Sequence, residues 1–444
     1  MELIKPKKKY NENQMRIALL SLNWYRRKDP RTPLGIAYIY SVLMNLKSRY
    51  TDLDVNLLQF DTKGNLSDVL HEIMVLVPDI LGISVDAWNA YQVKMIIDAL
   101  RSFEYNGSIV LGGSEITYGG DELNDEFSGA DYFVKGFGEQ AFSDLIEGMI
   151  SGNDLSIKGV YKNGDKIGNL LAVAPTGIPN SPFSHDEIIP MISGDKFIRW
   201  QTQRGCVFRC SFCAFTIPSG NVEESDIETV RYELEKIKEI GTSSVAVLDP
   251  VFFLNKKRAI EILDLISYKL PGIKFSIQTR YEHLDTEIIA KLSSMNVKLE
   301  CGLQTLDNKV QLRIKRINNR EKVIDMMKEL TDQKIEYETH LIYGLPEQTN
   351  QSFLSDIYTV AESGNSRLRV FPLSKLRGTE LANTTKDGEI YFSPFFPNEV
   401  IQTRWMTGIQ ILNLKKFQRR LEDAGGQFDL GLLDSLLQKE EVVK

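Results

Sequence analysis

The chain has 444 residues, 42% of them hydrophobic and 25% charged, with a formal net charge of −7 and four cysteines. That size supports two or three domains with buried cores, and no uninterrupted apolar run approaches the roughly 20 residues that a bilayer-spanning helix needs. The acidic balance argues against a general nucleic-acid surface.

The amino end opens with a basic run, Lys5-Pro-Lys-Lys-Lys9, followed by too little hydrophobic sequence for a signal peptide, and it reads as a solvated tail. From Met15 to about Ile150, strand and helix patterns alternate, as in an α/β doubly wound parallel sheet covered on both faces. Strands are expected over residues 16–23, 54–60, 80–85, 108–113 and 130–134. A helix is expected over 33–43, with Pro33 in its first turn. Gly136-Phe-Gly-Glu139 opens another helix, and His71 falls in a helical stretch where a surface position is expected. Glycines at strand ends either make tight turns or let a cofactor approach the backbone closely.

Residues 151–194 mix weak strand signals with Gly, Pro, Asn and Ser and read as a linker. A strand follows over 196–203, and the next loop places Cys206, Cys210 and Cys213 within eight residues. Three thiolates on one loop can hold a 4Fe-4S cube while leaving one iron free for a small molecule. A structural zinc site wants four N or S ligands, and no histidine lies near this loop. A disulfide is disfavoured by the odd count within the loop and the lack of a signal peptide. Cysteines used in this way suit a reducing cytoplasm.

The pattern CxxxCxφC, with Phe212 as the aromatic φ, resembles the signature of the radical S-adenosylmethionine (SAM) superfamily. The resemblance implies that the three cysteines hold the cluster, that SAM chelates the open iron, and that an electron cleaves SAM to a 5′-deoxyadenosyl radical. The order Pro-Leu-Gly-Ile-Ala-Tyr, Leu-Gly-Gly-Ser, Gly-Phe-Gly-Glu resembles the cobalamin-binding domain that precedes many radical SAM cores. It implies a Rossmann-like domain over residues 1–150, a partial (β/α)6 radical SAM barrel over 195–385 and a mainly helical cap over 386–444. The Asp-x-His-x-x-Gly motif that supplies a cobalt-ligating histidine in many cobalamin domains is absent, as it is from many radical SAM relatives. The residues implied near cobalamin follow the strand ends: Asn23, Trp24, Asp86, Trp88, Gly112, Gly113, Ser114 and Glu115. Trp24 and Trp88 also suit ordinary core or rim positions.

The same resemblance implies SAM contacts from Phe212, Asp249, Arg280, Glu300, Gln304, Gly344, Pro346 and Phe371. Asp249 stands in Leu-Asp-Pro where relatives read Gly-Gly-Glu, and it equally suits a cap for the helix beginning near Lys256. Arg280 offers a planar fork that fits a carboxylate, or a surface ion pair. Gln304 suits ribose hydroxyls, and Gly344-Leu-Pro346 suits a turn beside adenine. Cys301 reads as a small buried hydrophobe. His340 faces either the barrel interior or the opposite layer. Trp405 and Phe417 read as anchors of the cap.

The expected activity is cobalamin-dependent radical SAM methyl transfer, from methylcobalamin to an unactivated carbon. The alternatives are ring formation or rearrangement with the same cofactors, and a radical SAM enzyme whose first domain docks a peptide or carrier protein and binds no cobalamin. The expected partners are a small-molecule or peptide substrate and a flavodoxin-type or ferredoxin-type electron donor. No residue of the sequence is assigned as a catalytic acid or base.

Overall fold

The computed structural model describes residues 14–24, 33–153, 156–173, 177–193, 197–215, 222–364 and 367–427. The chain divides into two compact units, Met1–Ile198 and Arg199–Lys444.

The first unit is built on strands β1 (Met15–Asn23), β2 (Leu53–Asp61), β3 (Ile80–Ser84), β4 (Ser108–Gly112), β5 (Tyr132–Val134) and β6 (Val160–Lys162). They form one sheet in the order β2-β1-β3-β4-β5-β6. The first five are parallel, and β6 runs antiparallel to β5. Between them lie α1 (Leu34–Lys47), α2 (Leu66–Leu76), α3 (Ala90–Ser102), the short α4 (Ser114–Thr117) and α5 (Glu122–Glu126), and α6 (Gly138–Ser151). Strand β1 is almost continuously apolar because both its faces are covered. Ala18, Leu20 and Leu22 pack with Val69 and Ile73 of α2 and with Val93, Ile96, Ile97 and Leu100 of α3. Leu19 points the other way, toward α1 and α6. Pro33 stands one residue before the first turn of α1, at its N-cap. His71 lies exposed on α2, as expected. The stretch read as a linker adds β6 to the edge of this sheet; at three residues it is too short to show a hydrophobic period.

In the second part of the chain come α7 (Ile189–Ile192), β7 (Phe197–Trp200), β8 (Gln203–Arg204), β9 (Glu223–Glu224), α8 (Ile227–Ile240), β10 (Ser244–Val247), α9 (Lys256–Lys269), β11 (Lys274–Thr279) and α10 (Thr286–Leu292). They are followed by β12 (Val297–Gln304), α11 (Asn308–Arg313), α12 (Arg320–Asp332), β13 (Glu336–Tyr343), α13 (Asn350–Glu362) and β14 (Leu368–Pro372). The second sheet runs β14-β13-β12-β11-β10-β7, an open array in which strands β10 to β14 are parallel. Each crossover helix starts on a side-chain cap: Asp226, Asn255, Asp285, Asp307, Asn319 and Thr349 each accept from an amide in the first turn. Such caps recover donors that a helix start otherwise leaves unpaired.

Strand β12 shows how this sheet sorts its faces. Val297, Leu299, Cys301 and Leu303 are buried, while Lys298, Glu300, Gly302 and Gln304 alternate with them and stay half-exposed. One face is therefore hydrophobic and the other is a polar surface on which ligands can be read. Beyond β14 lie α14 (Glu380–Thr384), the antiparallel pair β15 (Ile390–Phe392) and β16 (Val400–Thr403), and α15 (Gly408–Asp423). Helix α15 packs on β14 and β16 with Phe417 fully buried and Trp405 half-buried. Among its described residues the cap is thus a strand pair plus one helix. Among the described residues no helix is long and apolar enough to cross a membrane.

Candidate functional site

In the first unit, the residues expected near cobalamin gather at the carboxyl edge of the sheet. Asn23 and Trp24 follow β1, Asp86 and Trp88 follow β3, and Gly112 to Glu115 follow β4. Asp86 accepts from the Ser114 hydroxyl at 2.7 Å and from the Ser84 hydroxyl at 3.2 Å, which joins two of these loops. Burial pushes the Asp86 carboxyl above its ordinary range against the pull of these bonds. The Trp88 indole donates to the Leu22 carbonyl at 3.2 Å, fixing the ring over the end of β1. Gly113 has φ +99°, and a Cβ there would meet the Val85 carbonyl oxygen at 2.4 Å, so only glycine fits.

Beneath that edge, between the sheet and helices α1 and α6, lies a cavity of about 170 Å³. Leu19, Ile36, Ile39 and Phe142 make its apolar walls, and Gly35, Gly82, Gly112, Gly136 and Gly138 open it. The helix glycines Gly35 and Gly138 were not legible as cavity walls, because their contribution is the volume they leave empty. An apolar slot opening at a polar strand edge suits a flat aromatic group of the size of a nucleotide base.

In the second unit, the cysteine loop is carried by hydrogen bonds at both ends. Asp249 is 1% exposed, and its carboxylate accepts from the Thr202 amide at 2.7 Å, the Gln203 amide at 3.0 Å and the Thr202 hydroxyl. Farther along, the Ser211 amide donates to the Ile314 carbonyl at 2.9 Å, and the Ser211 carbonyl accepts from Leu381 at 2.7 Å. The phenyl ring of Phe208 lies under the Arg280 guanidinium. Cys210 is buried, whereas Cys206 and Cys213 are half-buried. Burial pushes the Cys213 thiol up to about 11, with the charges of Cys210 and Cys206 adding and Arg316 opposing. Burial likewise raises Cys206, and Cys210 raises it further. The Cys206 and Cys213 thiols, both pushed up by burial, need a bound cation to hold them as thiolates. Among the described residues no three His, Cys, Asp or Glu side chains converge on one metal-ion position. A cube-shaped cluster makes no such demand, because each thiolate takes a different iron.

Four buried polar atoms near this loop have no hydrogen-bond partner: Gln203 Nε2, Ser211 Oγ, Gln304 Oε1 and Arg316 Nε. Such atoms are rare in folded chains and mark places where a ligand supplies the missing bonds. Gln304 ends β12 with φ +73°, just after a break in register between Gly302 and Gln304. Left-handed backbone at a non-glycine residue is strained and is kept where it aims a side chain. Arg316 went unnoticed in the sequence. It follows α11, is buried, donates to the Gly302 carbonyl and faces Cys210. Burial, then Arg280, push its pKa down, which records the cost of an incompletely paired buried cation. Only its place amid Gly302, Gln304 and the cysteines marks it; its sequence neighbours, Lys315 and Ile317, are both exposed.

The remaining candidates are placed as follows. Asp249 is 1% exposed and its oxygens hold the start of the cysteine loop; the cap of α9 is Asn255 and not Asp249. Arg280 is 6% exposed and is no surface ion pair: it donates to the Ile317 carbonyl at 2.9 Å and pairs with Glu282 at 3.4 Å. Gly344 and Pro346 are buried, and a Cβ on Gly344 would meet Val400 of the cap at 2.6 Å. Glu300 accepts from Ser276 at 2.6 Å on the polar sheet face. His340 lies on that same face, bonded to Glu338 at 2.9 Å and edge-on to Phe371 at 5.3 Å. Phe212 is half-buried within the loop, and Cys301 is fully buried on the opposite face of β12, a packing residue as expected.

Two family matches cover these two regions: residues 27–146 match the B12 binding domain, and residues 200–357 match the radical SAM superfamily. The chain is 27% identical over 272 residues to an uncharacterized methyltransferase of Pyrococcus horikoshii, covering 58% of this chain and 57% of that one. It is 23% identical over 340 residues to the cobalamin-dependent radical SAM methyltransferase TokK of Streptomyces tokunonensis, covering 71% of this chain and 50% of that one. The chain thus spans roughly half to three fifths of these relatives' lengths. Among solved structures, the radical SAM methyltransferase TsrM of Kitasatospora setae, with cobalamin and a [4Fe-4S] cluster bound, shares the fold at a TM-score of 0.70 and 15% identity, covering 86% of this chain and 81% of that one. The cofactors that the two matched domains imply are a 4Fe-4S cluster and SAM for the second and cobalamin for the first, and the thiol trio and the glycine-opened cavity fit them. The chain thus carries a B12-binding domain over residues 27–146 followed by a radical SAM domain over residues 200–357.

Proposed function

We propose that the chain is a methyltransferase that places a methyl group on an unactivated carbon of a small-molecule or peptide substrate. The observation that carries this reading is the pairing, within one chain, of a glycine-opened cavity under a cobalamin-type strand edge with a thiol loop ringed by unsatisfied buried polar atoms. Methyltransferases among the relatives support it.

When bound, the cluster and SAM supply a 5′-deoxyadenosyl radical, and cobalamin supplies the transferable methyl group. The chain's own residues have the following roles. Cys206, Cys210 and Cys213 hold the cluster. Arg316 presents its unpaired Nε–H to the SAM carboxylate, and Gln304 Oε1 accepts from a ribose hydroxyl. Glu300, fixed by Ser276, stands on the same sheet face for the second hydroxyl. Phe212 borders the cluster, and Phe371 flanks the adenine side. In this reading Arg280 holds Phe208, and hence the loop, rather than SAM. Asn23, Trp24, Asp86, Trp88, Gly112, Gly113, Ser114 and Glu115 border the corrin, whose nucleotide tail fills the cavity below. The reductant is a protein electron donor, and the oxygen-sensitive cluster suits a reducing cytoplasm.

Anaerobic reconstitution with iron, sulfide and hydroxocobalamin tests the reading. The expected result is 5′-deoxyadenosine together with S-adenosylhomocysteine, and a product one methyl group heavier than the substrate. Deoxyadenosine with no methylated product would overturn it in favour of ring formation, a reading supported by the 25% identity over 364 residues to an anaerobic magnesium-protoporphyrin IX monomethyl ester cyclase of Cereibacter sphaeroides.

A further inference from the structure

The charge of this acidic chain is unevenly placed. Residues 199–215, which contain the cysteine loop, and residues 309–322 together carry nine Lys or Arg and one acid, Glu321, in a chain of net charge −7. The two segments are adjacent in space: the Ser211 amide bonds to the Ile314 carbonyl, and Arg280 bridges Phe208 to the Ile317 carbonyl. Around this junction Arg209, Lys309, Arg313, Lys315 and Lys322 are exposed. Two of them have acidic partners: Lys315 pairs with Glu380 at 2.6 Å, and Arg313 lies 3.8 Å from Glu389. Lys322 donates to a backbone carbonyl, which leaves its charge uncompensated. Interleaved with the cations are exposed apolar side chains, Val207 at 43%, Phe215 at 56%, Ile317 at 57% and Leu312 at 70%. Exposed apolar side chains among mainly basic ones are the composition of a transient docking surface.

We infer that this patch docks an acidic one-electron carrier protein that reduces the cluster held by the cysteine loop. The patch borders the loop itself, so a protein seated on it is separated from the cluster only by the thickness of that loop. Its sign is opposite to that of the whole chain, which selects an acidic partner. The step is a single electron transfer: the carrier is oxidised by one electron, the oxidised cluster is reduced by one, and no proton moves.

The test uses the anaerobically reconstituted full chain, with fully reduced flavodoxin as the probe and cluster bleaching as the readout. Raising the salt from low to about 0.5 M is expected to slow this reduction about 10-fold or more, because charge steering is screened. The double variant Lys309→Glu with Arg313→Glu is expected to slow it by a similar factor, while reduction by dithionite, a small molecule, changes less than about 2-fold. A control, Lys416→Glu with Arg420→Glu on α15, makes the same change in net charge and is expected to leave the flavodoxin rate near wild type. Equal slowing in both double variants, or a flavodoxin rate indifferent to salt and to Lys309 and Arg313, would overturn the inference. Iron content and the dithionite rate show whether each variant is loaded. Neither readout depends on which substrate the enzyme methylates, so failure here is distinct from failure of the proposed reaction.

Discussion

The guanidinium of Arg280 lies 4.1 Å from the centroid of the Phe208 ring, and Phe208 in turn meets His283 edge-on at 5.6 Å. The end of β11 thereby grips the cysteine loop through an aromatic ring. A cation over a ring face is worth about 0.5–2 kcal/mol. Phe208→Ala is expected to destabilise the protein by about that amount plus the lost packing, measured by urea unfolding, and to lower iron content after reconstitution. Arg280→Lys, which keeps the charge but loses the planar stack, is expected to show the smaller part of the effect.

Gln304 and Arg316 give a sharper test of the SAM site. If their orphaned atoms are completed by SAM, then Gln304→Ala and Arg316→Lys each weaken SAM binding by about 1–3 kcal/mol, or roughly 5- to 150-fold. Equilibrium binding to the reconstituted protein measures this. Iron content should remain near wild type for Gln304→Ala. SAM affinity unchanged in both variants would remove the assignment.

The cavity of the first unit can be closed without crowding the core. Gly35 lines it from α1, and a Cβ at that position meets nothing within 4 Å. Gly35→Leu is expected to weaken hydroxocobalamin binding at least about 10-fold while leaving the unfolding temperature unchanged or higher, since glycine disfavours a helix by up to about 1 kcal/mol. Corrin absorbance after gel filtration is the measurement. Tight retention of cobalamin by Gly35→Leu would show that the cavity is not its seat.

How much of this was visible in the sequence depends on the range of the interaction. The three cysteines are local, and their spacing alone marks them as candidate cluster ligands. Most strands of the two sheets showed because each carries its own period or apolar run, as β12 does in Val-Lys-Leu-Glu-Cys-Gly-Leu-Gln, whereas the three-residue β6 did not. Arg316 did not show, because it looks like one more basic residue after a helix; only tertiary placement puts it beside Cys210. The hold of Asp249 on the loop was not legible, since its partners Thr202 and Gln203 lie more than forty residues away in sequence. The Gly344 turn was legible as a turn, but its cover, Val400, belongs to a segment with no readable pattern of its own.

Burial raises Asp356 to about 6, the largest effect, with the Thr305 hydrogen bond opposing it. A carboxyl whose folded pKa lies above its unfolded value near 3.9 binds more protons when folded over that interval. Its contribution to stability is therefore fully present below pH 4, is lost as pH rises to 6, and is constant above. Asp356→Asn cannot titrate, so its stability relative to wild type is expected to improve by about 2 kcal/mol between pH 4 and pH 7. Urea midpoints of both proteins across that range give the difference, and a constant difference would contradict it.

Asp249 has a consequence for how the enzyme is assembled. Its buried carboxylate fixes the entry to the cysteine loop, and the Ser211 backbone fixes the middle, all through protein atoms. The entry and the middle of the loop are therefore held by protein atoms, unlike small zinc domains in which metal binding is itself the folding step. Loss of the cluster to oxygen is accordingly expected to leave the chain folded, so that the same molecule can be reloaded with iron and sulfide and used again.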